Sequence, residues 1–560
     1  MPGGLLQLVG RGAQDQLITG NPSFTHFRSV YKRHTDFAME QFRLYFKTTI
    51  LSYPPSGTLT LRTKVERYAQ LLNDCYLSIT LPDIYSPVVP LGTNPVPTGF
   101  NPNSTAIPYQ FQWVRNIGYN MIRNVSVLIN GQEVVRHTGE WMKLYANLQF
   151  DANKRAIIDR MVGNLPELYD PANANGRINQ YPSSITSSTT NGERSIAGRV
   201  LQIPLHFWFC ESIGKALPLV ALQYSDVEIV VELRNMYELF TTIDVNPASS
   251  TYGQQVAPDT SNGLFQISHF LSPPSYDGTT NTIPDLKSWN LNPYIEANYI
   301  FVTDTEMSYI ARTDHSFILR QIDLKEGGKQ YGASNDLELV MRNLCTRIVW
   351  VFQRDDLEND YDNYTNWTDP YRPPNTLNDL YSSGSLLPSS ISRRDILLES
   401  SVILDTQERF ATKQAEFFNE IQPYRHSYGN PIPGIYSYSF QLDPNIDQPS
   451  GSLNGSMFNK TLLRNTLVTP PYTSTVQSGT GILQQCVLKS TVGFPNPTVV
   501  NPNAKDQFGN LLYTPDQLVT IITKAPNTTV YQYTYNVRAY TESYNFLRIV
   551  GGIGNVVFSS

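Results

Sequence analysis

The stretch VILDTQE at residues 402–408 decides the fold, because a disguised copy of it, VLINGQE, lies at residues 127–133. In each copy an apolar strand ends in a turn and a helical pattern follows, at residues 141–148 and 410–421. A second pair, CYLSITL at residues 75–81 and RIVWVFQ at residues 347–353, recurs at nearly the same spacing. Two patterns that recur in the same order at nearly one spacing predict a duplicated domain. The alternative is a chance likeness between amphipathic strands.

The composition is typical of an all-β protein with long connections. The 560 residues allow about two to four domains. Only 16% of the residues are charged, while 34 Tyr, 25 Phe and 38 Pro are present. Aromatic and β-branched residues favour pleated strands, and proline favours loops.

Charge and cysteine content exclude several classes of protein. A formal net charge of -6 argues against a protein that mainly neutralises phosphates, so we expect no direct specific nucleic-acid binding. The four cysteines are too far apart for a local zinc finger and predict buried reduced thiols. No secretory signal and no apolar run long enough to span a membrane is visible in the sequence, which predicts a soluble protein made in a reducing compartment.

Strand patterns recur in both halves of the chain. Each half offers about eight short alternating strands, two long loops and a small helix. We therefore predict an all-β fold of two consecutive eight-stranded antiparallel jelly rolls, which are β-sandwiches, with long loops and short helices. The predicted divisions are an N-terminal arm at 1–36, a first jelly roll at 37–237, a connection with a loop insertion at 238–292, and a second jelly roll at 293–560. The predicted long loops lie at 82–108, 164–195, 355–392 and 444–515.

A search for chemistry yields no catalytic residue, no metal ligand and no cofactor site. The acidic residues at 355–362 lack the spacing of a calcium loop and favour a solvated acidic loop, with calcium binding as the alternative. The scattered histidines His34, His137 and His426 are expected to bond to backbone near turns or helix ends. Of seven N-x-[ST] sequences, the candidate glycosylation sites are Asn103, Asn363, Asn366 and Asn454, although composition explains most such sequences.

The N-terminal arm interleaves aromatic and basic residues at positions 24–34. That pattern is compatible with contact to nucleic acid or anionic lipid. With so few charges in an acidic chain, it favours a docked arm with a solvated basic face.

Three motifs resemble the major capsid proteins of nucleocytoplasmic large DNA viruses. The first lies in the arm, the second comprises residues 409–410, 422–424 and 448–456, and the third is LVALQY at residues 219–224. The motif residues that carry most of the resemblance are Gly12, Asp15, Gly20, Asn21, Pro22, Tyr31, Arg33, His34, Gln448, Pro449, Ser450 and Gly451. The sequence departs from the family pattern at Gly10-Arg11 and at Ser456-Met457, so it is either the main capsid protein or a divergent paralogue.

The resemblance implies a structural role without enzymatic activity or cofactors. A double jelly roll of this family would form a homotrimer that serves as a pseudo-hexagonal capsomer of an icosahedral double-stranded DNA virus shell. Its implied partners are neighbouring capsomers and minor capsid proteins, with the arm near the inner viral membrane, and its location is the virion after assembly in the host cytoplasm. Residues 448–454 would form an ordered turn. The alternatives are a carbohydrate- or receptor-binding β-sandwich spike, a paralogous minor capsid protein, or a glycoside hydrolase on the same sandwich.

Overall fold

A computed structural model describes most of the chain. The described residues are 2–47, 53, 57–86, 109–177, 181–184, 193–244, 255–258, 266–273, 275–276, 281–282, 288–355, 359–365, 395–468, 482–488, 512–513, 517–524 and 534–558. The predicted loops at 82–108 and 355–392 lie mostly outside these residues.

The strands follow one another in chain order as β1 to β27. Those of the first half are β1 (Phe37–Tyr45), β2 (Leu59–Lys64), β3 (Leu71–Leu81), β4 (Tyr109–Trp113), β5 (Ile122–Ile129), β6 (Gln132–Thr138), β7 (Arg199–Pro204), β8 (Leu217–Pro218), β9 (Val227–Leu233), β10 (Phe240–Asp244), β11 (Gln255–Val256), β12 (Ser275–Tyr276), β13 (Asn281–Thr282) and β14 (Tyr294–Val302). Those of the second half are β15 (His315–Gln330), β16 (Asn335–Glu338), β17 (Leu344–Arg354), β18 (Leu397–Leu404), β19 (Gln407–Glu408), β20 (Lys413–Gln414), β21 (Ile435–Ser439), β22 (Leu453–Asn454), β23 (Thr461–Leu467), β24 (Ile482–Leu488), β25 (Leu518–Lys524), β26 (Tyr535–Val550) and β27 (Ile553–Val556).

The helices are short. They are α1 (Gly3–Val9), α2 (Ala13–Thr19), α3 (Ile117–Met121), α4 (Gly139–Gln149), α5 (Ala152–Val162), α6 (Pro166–Tyr169), α7 (Trp208–Glu211), α8 (Asp304–Arg312) and α9 (Gln422–His426), and a π-helical turn, Phe417–Ile421, runs directly into α9. Helix α4 confirms the helical pattern predicted at residues 141–148.

The two halves have the same sheet topology. In the first half, one antiparallel sheet has the order β1-β14-β3-β7 and the other β2-β9-β5-β6. In the second half, the corresponding orders are β15-β26-β17-β21 and β16-β23-β18-β19. Strands such as β9 alternate strictly between buried and partly exposed side chains, which places one face of each sheet in a core. The predicted fold class of two consecutive eight-stranded jelly rolls is therefore confirmed.

The repeat that aligns VLINGQE with VILDTQE is confirmed in its geometry. Asn130 and Asp405 occupy the same turn position and both have left-handed backbone, with φ of 54° and 55°. The alignment of the second pair is wrong by one position, although β3 and β17 are equivalent strands. Leu77 points into the first core, whereas its aligned partner Val349 points away from the second core. A slip of one position exchanges the two faces of a strand.

Strand β14 corrects the predicted domain boundaries. It pairs with β1 from Phe37↔Val302 to Tyr45↔Tyr294, and on its other side with β3. It therefore completes the first jelly roll, although residues 293–560 were assigned to the second. Residues 238–292 are therefore an insertion within the first roll, between β9 and β14. The sequence predicts a connection between domains there, because a long stretch rich in Pro, Ser and Asn looks like a linker. The crossing between the rolls contains α8.

Two predictions of irregular or helical structure in the second half are also wrong. The predicted loop at 444–515 contains β23, whose inward residues include polar Asn465, fully buried and bonded to Ser400 Oγ at 2.9 Å. Such inward polar residues hide the apolar alternation of a strand. The helix predicted at 410–421 begins only at Ala415, because residues 407–408 and 413–414 pair with β18 instead.

Gly429 packs against the end of α4, where the two rolls meet. Its N–H donates to Leu148 O at 2.9 Å, and an added Cβ would lie 2.1 Å from Asn147 O. Because that neighbour is backbone, we expect Gly429→Ala to lower the free energy of unfolding by about 1–3 kcal/mol. Gly214→Ala, which meets open space, is the control and should change it by less than about 0.5 kcal/mol. Urea titration followed by tryptophan fluorescence measures both, and equal midpoints would contradict the close packing.

Candidate assembly surfaces

Helix α4 lies between the two jelly rolls. Its first turn is capped by Thr138, whose Oγ1 accepts from Trp141 N at 3.0 Å. One side of the helix, with Met142, belongs to the core of the first roll. The other side packs on the outer face of the second roll's sheet and forms a cluster of Trp141, Leu144, Tyr145, Leu148, Val349, Val351, Tyr364, Ile435 and Tyr540. Apolar burial through this cluster holds the rolls together.

Glu140 carries a buried charge into this contact. Arg538 on β26 donates to it twice, from Nε to Oε2 at 2.6 Å and from Nη2 to Oε1 at 2.7 Å. Tyr540 Oη donates at 2.5 Å and Tyr364 Oη at 2.8 Å. Burial alone would raise the pKa of Glu140, but the charge and hydrogen bonds of Arg538 outweigh it and lower the pKa to about 2. The carboxylate is therefore ionised and fully bonded across the contact.

A second buried ion pair joins Lys143 of α4 to Asp362 of the second roll. Their side chains are only 2% and 6% exposed, and Lys143 Nζ also donates to Tyr361 O at 3.2 Å. The prediction of a solvated acidic loop is therefore wrong for Asp362. In the part of the chain that the structure describes, no group of three or more metal-ligating side chains is present.

Further buried charges connect the rolls beside Trp141 and Tyr145 of α4. Glu542 accepts from Arg347 Nε at 2.6 Å and lies 3.5 Å from Arg320 Nη1. Burial would raise the pKa of Glu542, but Arg347 and Arg320 lower it. Arg320 also faces Glu211 of the first roll at 3.8 Å. This line of alternating charges was not found from sequence, where its members appear as isolated charges in strands.

Two histidines lie buried beside these charges. Burial lowers the pKa of His137 to about 4 and that of His206 to about 3. His206 Nε2 lies 2.8 Å from Tyr119 Oη. The expectation of a backbone-bonded site near a turn or helix end holds for all three histidines. His137 bonds to the backbone of His206 and lies two residues before α4 begins at Gly139. His34 Nδ1 lies 2.8 Å from Thr35 O, and His426 Nδ1 lies 3.0 Å from Leu442 O.

The N-terminal arm exposes its apolar side chains. Every residue from 2 to 41 is exposed, and Phe27 is 99% exposed. The large apolar side chains involved are Leu5, Leu6, Leu8, Val9, Leu17, Ile18, Phe24, Val30 and Tyr31. Among the described residues, the arm does not dock on its own chain as expected, and so large an exposed apolar set is typical of an interaction site.

The signature residues of the arm shape its backbone. Gly12 N donates to Asp15 Oδ2 at 2.8 Å at the start of α2, and Gly20 N donates to Gln16 O at 2.9 Å at its end. A Cβ on Gly20 would lie 2.4 Å from Gln16 O, so any residue larger than glycine would clash with the backbone at this position. Beyond the helix come Asn21 with φ of 50°, Pro22, and the exposed Tyr31, Arg33 and His34. The structure does not bring this group together with residues 448–451 by any described contact.

Residues 448–451 close a compact loop after β21. Ser450 Oγ donates to Asp443 O at 2.8 Å and accepts from Asp443 N at 3.0 Å. Gly451 has φ of 134°, and a Cβ there would lie 3.1 Å from Phe440 O. Gln448 and Pro449 are exposed at the tip. These bonds give the loop a fixed shape, with its tip free for contacts.

The candidate glycosylation sites differ in accessibility. Asn454 is exposed, but its Oδ1 accepts from Ser456 N at 3.2 Å. Asn363 is half-buried, and its Nδ2 lies 3.5 Å from Asp360 Oδ2. Asn103 and Asn366 lie outside the described residues. Within the described parts of the chain, no helix is long and apolar enough to cross a membrane.

Comparisons with known proteins match both halves. The family model described as "Major capsid protein N-terminus" matches residues 25–271, and that described as "Large eukaryotic DNA virus major capsid protein" matches residues 306–487. The major capsid protein of Phaeocystis pouchetii virus is 27% identical, over 83% of this chain and 92% of its own length. Probable capsid protein 4 of Acanthamoeba polyphaga mimivirus is 24% identical over all of both chains.

Solved structures share the fold. The crystal structure of VP54 from the virus PBCV-1 superposes with a TM-score of 0.59 and 20% identity, over 96% of this chain and 100% of that one. The division between the two matched families falls between residues 271 and 306, close to the crossing at α8.

Proposed function

Because the chain belongs to the major capsid protein family of large eukaryotic DNA viruses, we propose that three copies form a pseudo-hexagonal capsomer of an icosahedral double-stranded DNA virus shell. Members of this family are structural proteins and not enzymes, and the chain is accordingly a component of the virion capsid. The observation that carries the proposal is the identical sheet order of the two jelly rolls. Two similar lobes per chain, taken three times by symmetry, give six similar lobes around one axis.

The capsomer interacts with further partners through the arm and with neighbouring capsomers at its edges. The exposed apolar arm, with Leu17 and Phe27, supports contact with minor capsid proteins at the inner base of the shell, near the viral membrane. The compact loop at 448–451 supports the second roll beside such contacts. In the proposed pathway, shells assemble in the host cytoplasm.

Electron microscopy of the purified protein tests the capsomer directly. We expect negative-stain class averages with three-fold symmetry and a hexagonal outline made of six lobes. Averages of isolated two-lobed particles would contradict the proposal.

Deletion of residues 1–35 tests the role of the arm. Because these residues are exposed and β1 begins only at Phe37, we expect the truncated protein to form capsomers with the normal number of chains. Shell assembly should fall sharply, because the apolar contacts of the arm are lost. Counting shells by electron microscopy in cells that express either form measures the effect, and normal shells from the truncated protein would refute this role.

A further inference from the structure

In the contact between the two rolls of one chain, the first roll contributes a helix and the second roll contributes a sheet face. Helix α4 of the first roll covers the outer face of the second roll's sheet β15-β26-β17-β21. The equivalent segment of the second roll, residues 417–428, is helical as far as His426. This segment and the equivalent face of the first roll's sheet β1-β14-β3-β7 do not cover each other in the described parts of the chain. Both are exposed in part.

The helical segments can be aligned residue by residue. Strand β5 pairs Asn124 with Thr138 just before α4, and β18 pairs Glu399 with Gln414 just before the second segment. Thr138 and Gln414 therefore correspond. In this alignment Met142 corresponds to Phe418, and each is fully buried in the core of its own roll. The alignment thus preserves which side of the helix faces inward.

The outward side of the second segment carries exposed apolar residues. In the same alignment, Leu144, Tyr145 and Leu148 of α4 correspond to Glu420, Ile421 and Tyr424. The first three are buried against the second roll. Their counterparts are all exposed, and Tyr424 is 89% exposed. An exposed tyrosine and isoleucine at positions that are buried in the equivalent contact indicate a docking face.

The outer face of the first roll's sheet is suited to receive this segment. Arg43 lies opposite Glu296 and Tyr45 opposite Tyr294 in the β1–β14 register, while the alternate residues point into the core. The Arg43 guanidinium lies 4.7 Å from the centroid of the Tyr294 ring. Tyr45 is 67% exposed, and Val200 on β7 is 52% exposed. The face thus combines apolar surface with an arginine, which complements the carboxylate of Glu420.

We propose that residues 417–428 of one protomer dock on the outer face of the sheet β1-β14-β3-β7 of the next protomer, so that three such contacts close the trimer. The inference rests on the proposed trimeric function and names the surfaces that form it. Each contact repeats between chains the packing that α4 makes within a chain. It is heterologous, because a helix face meets a sheet face, and such contacts form a ring when the rotation closes.

Paired variants test this arrangement. The helix variant carries Ile421→Asp and Tyr424→Asp, and the sheet variant carries Tyr45→Asp and Val200→Asp. Met457→Asp is the control, because Met457 is 74% exposed and lies outside both faces. We expect sedimentation velocity to show monomers for each double variant and trimers for the control and the unaltered protein. Circular dichroism establishes that each is folded, and Val200→Asp alone replaces a sheet variant that does not fold.

Mixing the two variants gives the sharper result. A sheet variant retains its helix face, and a helix variant retains its sheet face, so one intact contact can form and the ring cannot close. We expect a 1:1 heterodimer in the mixture and in neither variant alone. Trimers from both variants, or no heterodimer on mixing, would overturn this inference while leaving the trimer intact. An unaltered protein that is not a trimer would instead overturn the proposed function.

Discussion

Replacing Arg538 with alanine should lower the free energy of unfolding by about 3–5 kcal/mol, because it leaves the buried carboxylate of Glu140 without its cation. Glu140 is only 8% exposed, so water cannot replace the lost partner. Tyr540 and Tyr364 would still donate to it, but neutral donors do not balance a buried charge. Urea titration of the intact chain measures the effect.

Two further variants separate the buried charge from general effects of losing an arginine. Arg464→Ala removes a similar two-bonded pair with Asp336 at 2.8 and 3.0 Å, but that pair is 44% and 36% exposed. We expect it to cost less than about 1 kcal/mol. Combining Arg538→Met with Glu140→Gln should restore much of the stability, because no unpaired charge remains. Equal losses for Arg538→Ala and Arg464→Ala would show that the contact between the rolls does not depend on this charge.

Acidification from pH 6.5 to 4 should destabilise the protein by about 3 kcal/mol through His137 alone. Burial lowers the pKa of His137 in the folded state from 6.5 to about 4. Below pH 6.5 the unfolded chain therefore binds a proton that the folded chain does not, and stability falls until the pH reaches about 4. His206, whose pKa is lowered to about 3, acts in the same direction.

Below pH 4.5 the carboxylate of Glu140 adds to this loss. Its pKa is lowered from 4.5 to about 2, so its contribution is present above pH 4.5 and is lost as the pH falls toward 2. The change in unfolding free energy between pH 6.5 and 4.5 therefore comes mainly from the two buried histidines.

The variant His137→Gln isolates the histidine. It should reduce the slope of unfolding free energy against pH by about 1.4 kcal/mol per pH unit near pH 5, whatever its effect on stability at pH 8. His34→Gln in the exposed arm is the control for substitution outside the core. Urea titrations at a series of pH values give the slopes, and an unchanged slope for His137→Gln would contradict the burial of a neutral imidazole.

The sequence predicts the duplication where local rules determine the backbone. The turns at Asn130 and Asp405 need left-handed backbone, which asparagine and aspartate tolerate, so the repeat is visible even though few residues are identical. Strands with one apolar face, such as β9, are visible for the same reason. These features were sufficient to predict two jelly rolls.

Features that depend on distant partners could not be predicted in this way. Strand β23 is hidden because its inward Asn465 is polar and accepts a hydrogen bond from Ser400, a partner 65 positions earlier. The first roll is completed by β14, which follows a long insertion, so the chain order suggests a boundary where the sheet has none. Glu140 and Arg538 lie 398 positions apart, and neither lies in a motif.

The most direct test of the account is the mass of the purified protein in solution by light scattering. The proposed capsomer of three chains, each with two jelly rolls of equal topology, predicts a mass three times the 63.2 kDa of the chain. A folded protein with the mass of one chain or of two chains would contradict a capsomer built from six equivalent lobes.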